Sequence, residues 1–511
     1  MKKLFISILF AGLAAFTVAN PVSFKHAKQV ALGAAYLMYL EQNPTMQKQP
    51  LMVTAEFDAR ISPYSNIYVF NMYYTVNDEA VDNGFVVVSG DMIAAPILAF
   101  SNEGKLDYEN LNPAARAMFD RYDKQIAAAK AKGAESSPAV SQKWEKLESI
   151  KNAEDATAMM AKGDINNDNI SRLLGGMRWN QGKPYNEKCP GGSVTGCVAT
   201  AFGMIMNYWD YPVHGFGRHS YNGLDNPAAY PNWTYGEQSA DFENTYYDWE
   251  HMADYVMINS DDAEIEAVST LVYQIGVSLD MHYTPEGSGC WSLPEYAIFD
   301  TSLHLSPNIG ADTRIPRHFG YKFSYAGMRD SIGNDSIWLN MLYTSLAEGK
   351  PIYYAGWAVE DNEAGHSGTS GHGYILDGYF SDEVDSNLFH INWGWGGSSD
   401  GFFKLDAMTP TQYDFTQWHG AIIGLEPDTS YHGYDMSGIR PTENTNIRIY
   451  ANTGRIQVNG CQNSTIAVYD LMGRTIATRG SRNADEWSLT AKPGVYVVRV
   501  GHQPGKKVIV F

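Results

Sequence analysis

At 511 residues the chain exceeds what one hydrophobic core supports, and two to four domains are expected. Its composition, 44% hydrophobic and 18% charged, is that of an ordinary globular protein and excludes disordered or collagen-like classes. A formal net charge of -20 argues against nucleic acid and anionic lipid as partners, since both want a basic face.

Met1–Asn20 has the three parts of a signal peptide: Lys2 and Lys3, an apolar Leu4–Phe16, and small residues favouring cleavage after Ala19. That apolar run is short for a membrane span, and no later segment matches it, so no span is expected in the mature form. Phe24–Asn43 patterns as an amphipathic helix. Ile67–Tyr74, Gly84–Ser89 and Met92–Phe100 pattern as strands, and the Ala- and Lys-rich stretch 114–151 as helix. The region ends in a polar hinge, Gly163–Asn169. Its Asp/Asn alternation lacks the glycine and closing glutamate of a calcium loop, so a cleavable linker is the better reading.

From Leu173 to Leu425 the chain is dense in Gly, Trp and Tyr. Val198, Ala201, Phe202, Ile205, Met206 and Trp209 fall on one face of a helix over Cys197–Trp209. After a polar linker, 428–446, short strands alternate with turns over 447–511: Ile447–Tyr450, Arg455–Val458, Thr465–Tyr469, Thr475–Thr478, Val495–Val500 and Lys507–Phe511. That spacing predicts a small all-β sandwich.

Four cysteines, Cys189, Cys197, Cys290 and Cys461, form no Cys-x-x-Cys pair, and neither a metal nor a cofactor is implied. Two disulfides are the bland expectation in an oxidising compartment. Cys197 differs from the others in context. It opens the predicted helix, where unpaired amides and the positive dipole end favour a thiolate; Thr195 is the expected cap, and Gly196 permits close approach of a ligand backbone. A nucleophile needs a base, and His372 lies between glycines at the head of an apolar strand. Phe389–Trp393 follows as a second strand after the turn Ser381–Asn387. In a hairpin, His372 and Asn392 have the same parity; where the register preserves that parity, Asn392 faces His372 and would accept its Nδ1 proton. Trp393 would shield that bond. Gln181, in Trp179–Asn186, would stabilise an oxyanion together with the Cys197 amide.

Together these segments resemble the streptopain family of secreted bacterial cysteine peptidases. The carriers are Trp179–Asn186, Thr195–Ala201, Asn207–Pro212, Gly276–Met281, Gly371-His372-Gly373 and His390–Gly397 through Phe403. The resemblance spans roughly 173–427. It implies an α+β chain: a papain-like catalytic domain over 169–427, preceded by a small α+β inhibitory pro-domain over 20–168 that covers the site. Cys197 would be the nucleophile, His372 the base, Asn392 its orienting partner, Trp393 the shield, and Gln181 part of the oxyanion hole. The substrates would be host or environmental proteins and peptides. The same triad would also serve acyl transfer to an amine, whereas a non-catalytic binding protein would have lost Cys, His or Asn, and all three are present. Gly373 stands where the family often has Ala. Cys189 and Cys290 are additional thiols, and a disulfide between them would narrow the substrate groove. The C-terminal strands resemble a second family, the type IX secretion sorting domains of Bacteroidetes, through Val468–Arg474, Pro493–Val498 and Lys506–Val510. That resemblance implies secretion machinery as a partner and export through the periplasm to the surface or medium.

Overall fold

In the computed structural model the described residues are 21–43, 45–48, 53–59, 63–107, 109–161, 169–227, 229–293, 310–358, 370–381, 387–406 and 419–431, and, toward the C-terminus, 448–452, 454–462, 465–470, 475–479, 486–492, 494–500 and 506–510. The signal segment, most of the hinge and most of the 428–446 linker lie outside them.

The N-terminal unit runs α1 (Phe24–Gln42), β1 (Val53–Ala59), β2 (Ile67–Val76), β3 (Glu79–Ser89), β4 (Ile97–Ser101), α2 (Pro113–Ala131), α3 (Pro138–Ser149) and α4 (Ala153–Met160). Ser23 caps α1 by accepting the His26 amide. The buried face of α1, including Val30, Ala31 and Ala34, packs on Phe70, Val86 and Val88 of the sheet and on Trp144 and Leu147 of α3. The stretch expected as one helical region is two helices. Gly133 turns the chain with a φ of +67°, and Ser137 and Pro138 begin a new helix, the Ser137 hydroxyl accepting the Val140 amide. β4 starts at Ile97 and not Met92, because the Asp91 carboxylate takes the Ile93 amide into a turn.

The second unit contains α5 (Cys197–Trp209), β5 (Arg218–Asn222), β6 (Glu237–Asp241), α6 (Asp262–Ser278), α7 (Ala311–Phe319), β7 (Tyr321–Lys322), β8 (Tyr325–Met328), α8 (Asp335–Ala347), β9 (Ile352–Ala358), β10 (Ser370–Phe380), β11 (Leu388–Asn392), β12 (Gly401–Lys404), β13 (Gly420–Ile423) and β14 (Glu426–Pro427). Its main strands and those of the first unit form a single ten-stranded sheet in the order β1-β2-β3-β4-β12-β11-β10-β9-β13-β8. The junction is β4 on β12, antiparallel, pairing Phe100 with Phe402 and Ala99 with Phe403. The two faces of the sheet have separate cores, as a side-chain period of two requires. Tyr353, Ala355, Ile375 and Ile422 pack with α5 and α6, while Tyr354, Tyr374, Leu376, Ile423 and Trp393 pack on the other face with Phe119 and Tyr122 of α2.

The C-terminal strands are β15 (Arg448–Asn452), β16 (Arg455–Asn459), β17 (Ile466–Asp470), β18 (Thr475–Arg479), β19 (Glu486–Thr490), β20 (Gly494–Val500) and β21 (Lys506–Val510). They form a three-stranded and a four-stranded antiparallel sheet around one core that includes Ile456, Val458, Ile466, Val468 and Val498. The small sandwich matches the sequence expectation. β19 is the strand the sequence pattern misses; its residues alternate exposed and half-buried, with no fully buried side chain to mark them.

Candidate active site

α5 begins where expected, at Cys197, but its cap differs. Gly196 occupies the N-cap with a φ of +87°, and the Thr195 hydroxyl is turned inward to the Thr200 hydroxyl at 2.7 Å. A Cβ on Gly196 would sit 2.8 Å from the Met281 sulfur and 3.2 Å from the Ser288 carbonyl oxygen, so glycine is required both for conformation and for space. The first helical bond runs from Thr200 N–H to Gly196 O, which leaves the amides before it for the cavity and the thiol.

His372 meets this helix end from β10. The Gly373 amide donates to Cys197 Sγ at 3.3 Å, and the His372 imidazole hydrogen-bonds the same thiol. Burial alone would raise the Cys197 thiol. The charge and hydrogen bond of His372, together with the Gly373 and Val198 amides, outweigh burial and hold it below its ordinary value. The other two thiols of this unit go the opposite way. Burial pushes Cys189 up to about 12, and burial with the neighbouring Cys197 and Asp280 pushes Cys290 well up. All four cysteines are free thiols, so neither the Cys189–Cys290 bridge nor the two-disulfide expectation describes this structure. Instead Cys290 lines the same cavity as Cys197.

The Asn392 expectation is corrected. β10 and β11 do form the predicted hairpin, but Ile375 is opposite Asn392 and Leu376 opposite Ile391. An even-numbered residue therefore faces an odd-numbered one across the pair. His372 shares its face with Tyr374 and Trp393, not with Asn392. The far nitrogen of His372, Nε2, lies 2.9 Å from the main-chain oxygen of Trp393. A carbonyl only accepts, so Nε2 carries the proton and Nδ1 is the basic nitrogen, the reverse of the expected assignment. Asn392 is buried; its Nδ2 donates to the Met177 carbonyl at 2.8 Å and its Oδ1 accepts the Gly394 amide at 3.0 Å.

Trp393 is buried with its ring centroid 6.3 Å from that of His372, and its indole N–H donates to the Ser399 carbonyl. The Trp393 amide donates to Asp400 Oδ1 at 3.0 Å. Desolvation pushes the Asp400 carboxyl up to about 7, against the Trp393 amide and the positive charges of His390 and Arg172. Gln181 is tied to the helix start through its backbone, the Thr195 amide donating to its carbonyl at 3.0 Å, and it stands outside the lining of the cavity.

The cavity, about 330 Å³, is lined by Cys197, His372, Gly373, Tyr230, Asp280 and Cys290 among others. Asp280 is held by His219 at 2.5 Å and by the Arg314 guanidinium at 3.2 Å, so this wall carboxylate has its partners within the protein. A Cβ on Gly373 would lie 2.6 Å from the Tyr353 hydroxyl oxygen, so in this chain the tyrosine fills the space a methyl would take. Among the described residues, none from the N-terminal unit lines this cavity. That unit instead reaches the loop behind Trp393. Asn112 Nδ2 donates to the Ser398 carbonyl, and Glu103 pairs with Arg172 at 2.6 Å and with Arg178 at 3.0 Å. No group of acidic, His and Cys side chains suited to a metal occurs among the described residues, and no described helix is long and apolar enough to cross a membrane.

Residues 179–403 match the Peptidase C10 family, a span that holds the thiol, the imidazole and the carbonyl that restrains it. The chain belongs to that family. It is a cysteine peptidase. The first part of the peptidase, 19–126, matches the Spi protease inhibitor family, and 439–510 match a domain family of unknown function. The peptidase is 28% identical over 464 residues to streptopain of Streptococcus pyogenes, covering 83% of this chain and 99% of that protein. It is 25% identical over 449 residues to the thiol protease/hemagglutinin PrtT of Porphyromonas gingivalis, covering 84% of this chain and 44% of that one. A solved prointerpain A fragment from Prevotella intermedia superposes with a TM-score of 0.51 at 26% identity, over 73% of this chain and 98% of that chain. Papain-like architecture with an α+β pro-domain is therefore the fold of this peptidase.

The sequence marked Cys197 and His372, and the structure brings them together. It gave no direct sign of the two main-chain groups at the site, the Gly373 amide and the Trp393 carbonyl, because backbone atoms have no residue signature. The glycines around both positions were the only available hint.

Proposed function

We propose that this peptidase cleaves peptide bonds through a thioester on Cys197, with His372 as acid and base, and that it is made as a latent precursor. One observation carries the reading. A thiol at a helix N-terminus, depressed below its ordinary value, touches an imidazole whose opposite nitrogen is fixed by a carbonyl. Cys197 attacks the scissile carbonyl carbon. The developing oxyanion is stabilised by the Cys197 amide with Gln181 at the margin, and the imidazolium gives its Nδ1 proton to the leaving amine. Water, deprotonated by His372, then releases the acid and restores the thiol. Cys197→Ala and His372→Ala should each lower turnover by at least ~10³-fold while leaving the melting temperature nearly unchanged. Residual hydrolysis near wild type in either variant overturns the assignment.

On the same reading, residues 20–168 are the pro-domain, cut within the hinge region 151–172, and protein or peptide chains are the substrates. Inhibition would act through the loop behind Trp393, which Asn112 engages, and through Arg178, which Glu103 engages. The 447–511 sandwich serves as an export address read by secretion machinery, bringing the enzyme through the periplasm to the surface or medium. Deleting it should leave hydrolysis intact and strand the protein in the periplasm. Normal delivery without it removes this part of the proposal.

A further inference from the structure

We propose that Cys197 and Cys290 form a reversible oxidation site, at which a hydroperoxide converts the two thiols to a disulfide across the cavity. Both side chains line the cavity and both are only half-buried, whereas Cys189 is buried and lines none of it. Main-chain pairing brings the two together. His282 and Gly289 exchange both of their amide hydrogen bonds, at 2.8 and 3.1 Å, so the chain doubles back and Cys290 follows on the returning arm. That arm is tied to the segment opening α5. The Val194 amide donates to the Thr284 carbonyl at 3.2 Å, and the Ser288 hydroxyl donates to the Val194 carbonyl at 2.6 Å. The missing side chain at Gly196 completes the approach, since a Cβ there would lie 3.2 Å from the Ser288 carbonyl oxygen. Gly287 and Gly289, where an added Cβ would meet nothing within 4 Å, leave the arm room to shift as a sulfur–sulfur bond forms.

The two thiols differ in the way such a pair requires. Cys197 is held below its ordinary value and supplies the thiolate that attacks a peroxide; Cys290, which feels the charge on Cys197, is held up and stays a neutral thiol. In the first step the Cys197 sulfur attacks one peroxide oxygen. A sulfur–oxygen bond forms, the oxygen–oxygen bond breaks, and the departing oxygen takes the proton of the His372 imidazolium; with hydrogen peroxide it leaves as water. The sulfur has lost two electrons to the peroxide and is a sulfenic acid. In the second step the Cys290 sulfur displaces that hydroxyl. The sulfur–sulfur bond forms, the sulfur–oxygen bond breaks, and the hydroxyl leaves as water with the Cys290 proton. A dithiol returns two electrons and two protons and restores both thiols. Cys290 thereby stops the nucleophile short of sulfinic acid, from which thiols do not recover it.

The test treats the full chain with hydrogen peroxide, blocks the remaining thiols with N-ethylmaleimide in denaturant, and digests it without reduction. Mass spectrometry should find the Cys197 and Cys290 peptides joined and lighter by two hydrogen atoms, with fragment ions distinguishing Cys197 from Cys189. On a non-reducing gel the chain should remain monomeric. Dithiothreitol should then return Cys197 to a form that iodoacetamide alkylates. Cys290→Ser removes the second thiol, so prolonged peroxide should carry its Cys197 on to sulfinic acid, and the share recovered by dithiothreitol should fall by about tenfold. Cys197 found as sulfinic acid beside a free Cys290 in the wild type overturns the proposal, as does a bridge from Cys290 to Cys189 or between chains. Equal recovery in wild type and Cys290→Ser also overturns it. If the serine variant does not fold, the wild-type map decides alone. The inference rests on Cys197 being the reactive thiol, and the two fail separately. A hydrolytically active Cys197→Ala would sink that chemistry, whereas normal wild-type hydrolysis beside a Cys290 left free by peroxide sinks only the oxidation site.

Discussion

The three thiols of the catalytic unit show how position on the backbone sets chemistry. Cys197, Cys189 and Cys290 share a neighbourhood, yet only Cys197 has helix-start amides and an imidazole to offset burial. Because its folded value is depressed, ionisation of Cys197 stabilises the folded state fully above the ordinary unfolded thiol range, and that stabilisation is lost as pH falls through the folded value. Alkylation at pH 6–7 should therefore modify Cys197 first, with Cys189 and Cys290 unmodified until denaturant is added; peptide mass mapping reads the order. Early labelling of Cys290 would mean that its surroundings do not hold its thiol up. At this scale the sequence was informative for side chains that announce their chemistry, Cys197 and His372. The expected direct contact of Asn392 with His372 is absent, because it turned on a register offset of one residue, and neither strand's alternation specifies which residue of its partner it meets.

At the scale of the element, α5 depends on its first turn. The helix was legible to the residue because its apolar face has a clean period and its ten residues from Val198 to Asn207 are all buried. Its cap was not legible, since Thr195 is the stronger capping residue by type and Gly196 wins by geometry. Gly196→Ala would force a Cβ into a φ of +87° and against Met281. It should cost about 1–3 kcal/mol of stability and slow Cys197 alkylation by moving the helix start. Gly182→Ala, where a Cβ meets nothing within 4 Å, should change neither. Equal unfolding midpoints for the two variants would show that the turn before Cys197 adapts without strain.

At the scale of the whole molecule, the domain order was readable from texture and motif, while the union of two units in one ten-stranded sheet was not. Pairing between residues some three hundred positions apart leaves no local trace, and β4 and β12 each read as an ordinary short strand. The union is reinforced by Phe100 stacked on Phe402 at 5.0 Å, and by Asp406, which takes Arg121 from one unit and Arg329 from the other. Cutting the chain between the units would therefore not by itself part them. A nicked protein should co-elute with its N-terminal fragment on gel filtration until that fragment is digested or denatured. Maturation then amounts to unsheathing: when the fragment goes, β12 becomes a raw selvedge with open main-chain groups and an aromatic row, the kind of margin that recruits another strand. The freed enzyme should self-associate as its concentration rises, and Phe402→Lys should curb this. A fragment-free enzyme that stays monomeric across that range would show that some other part of the chain has folded over the edge.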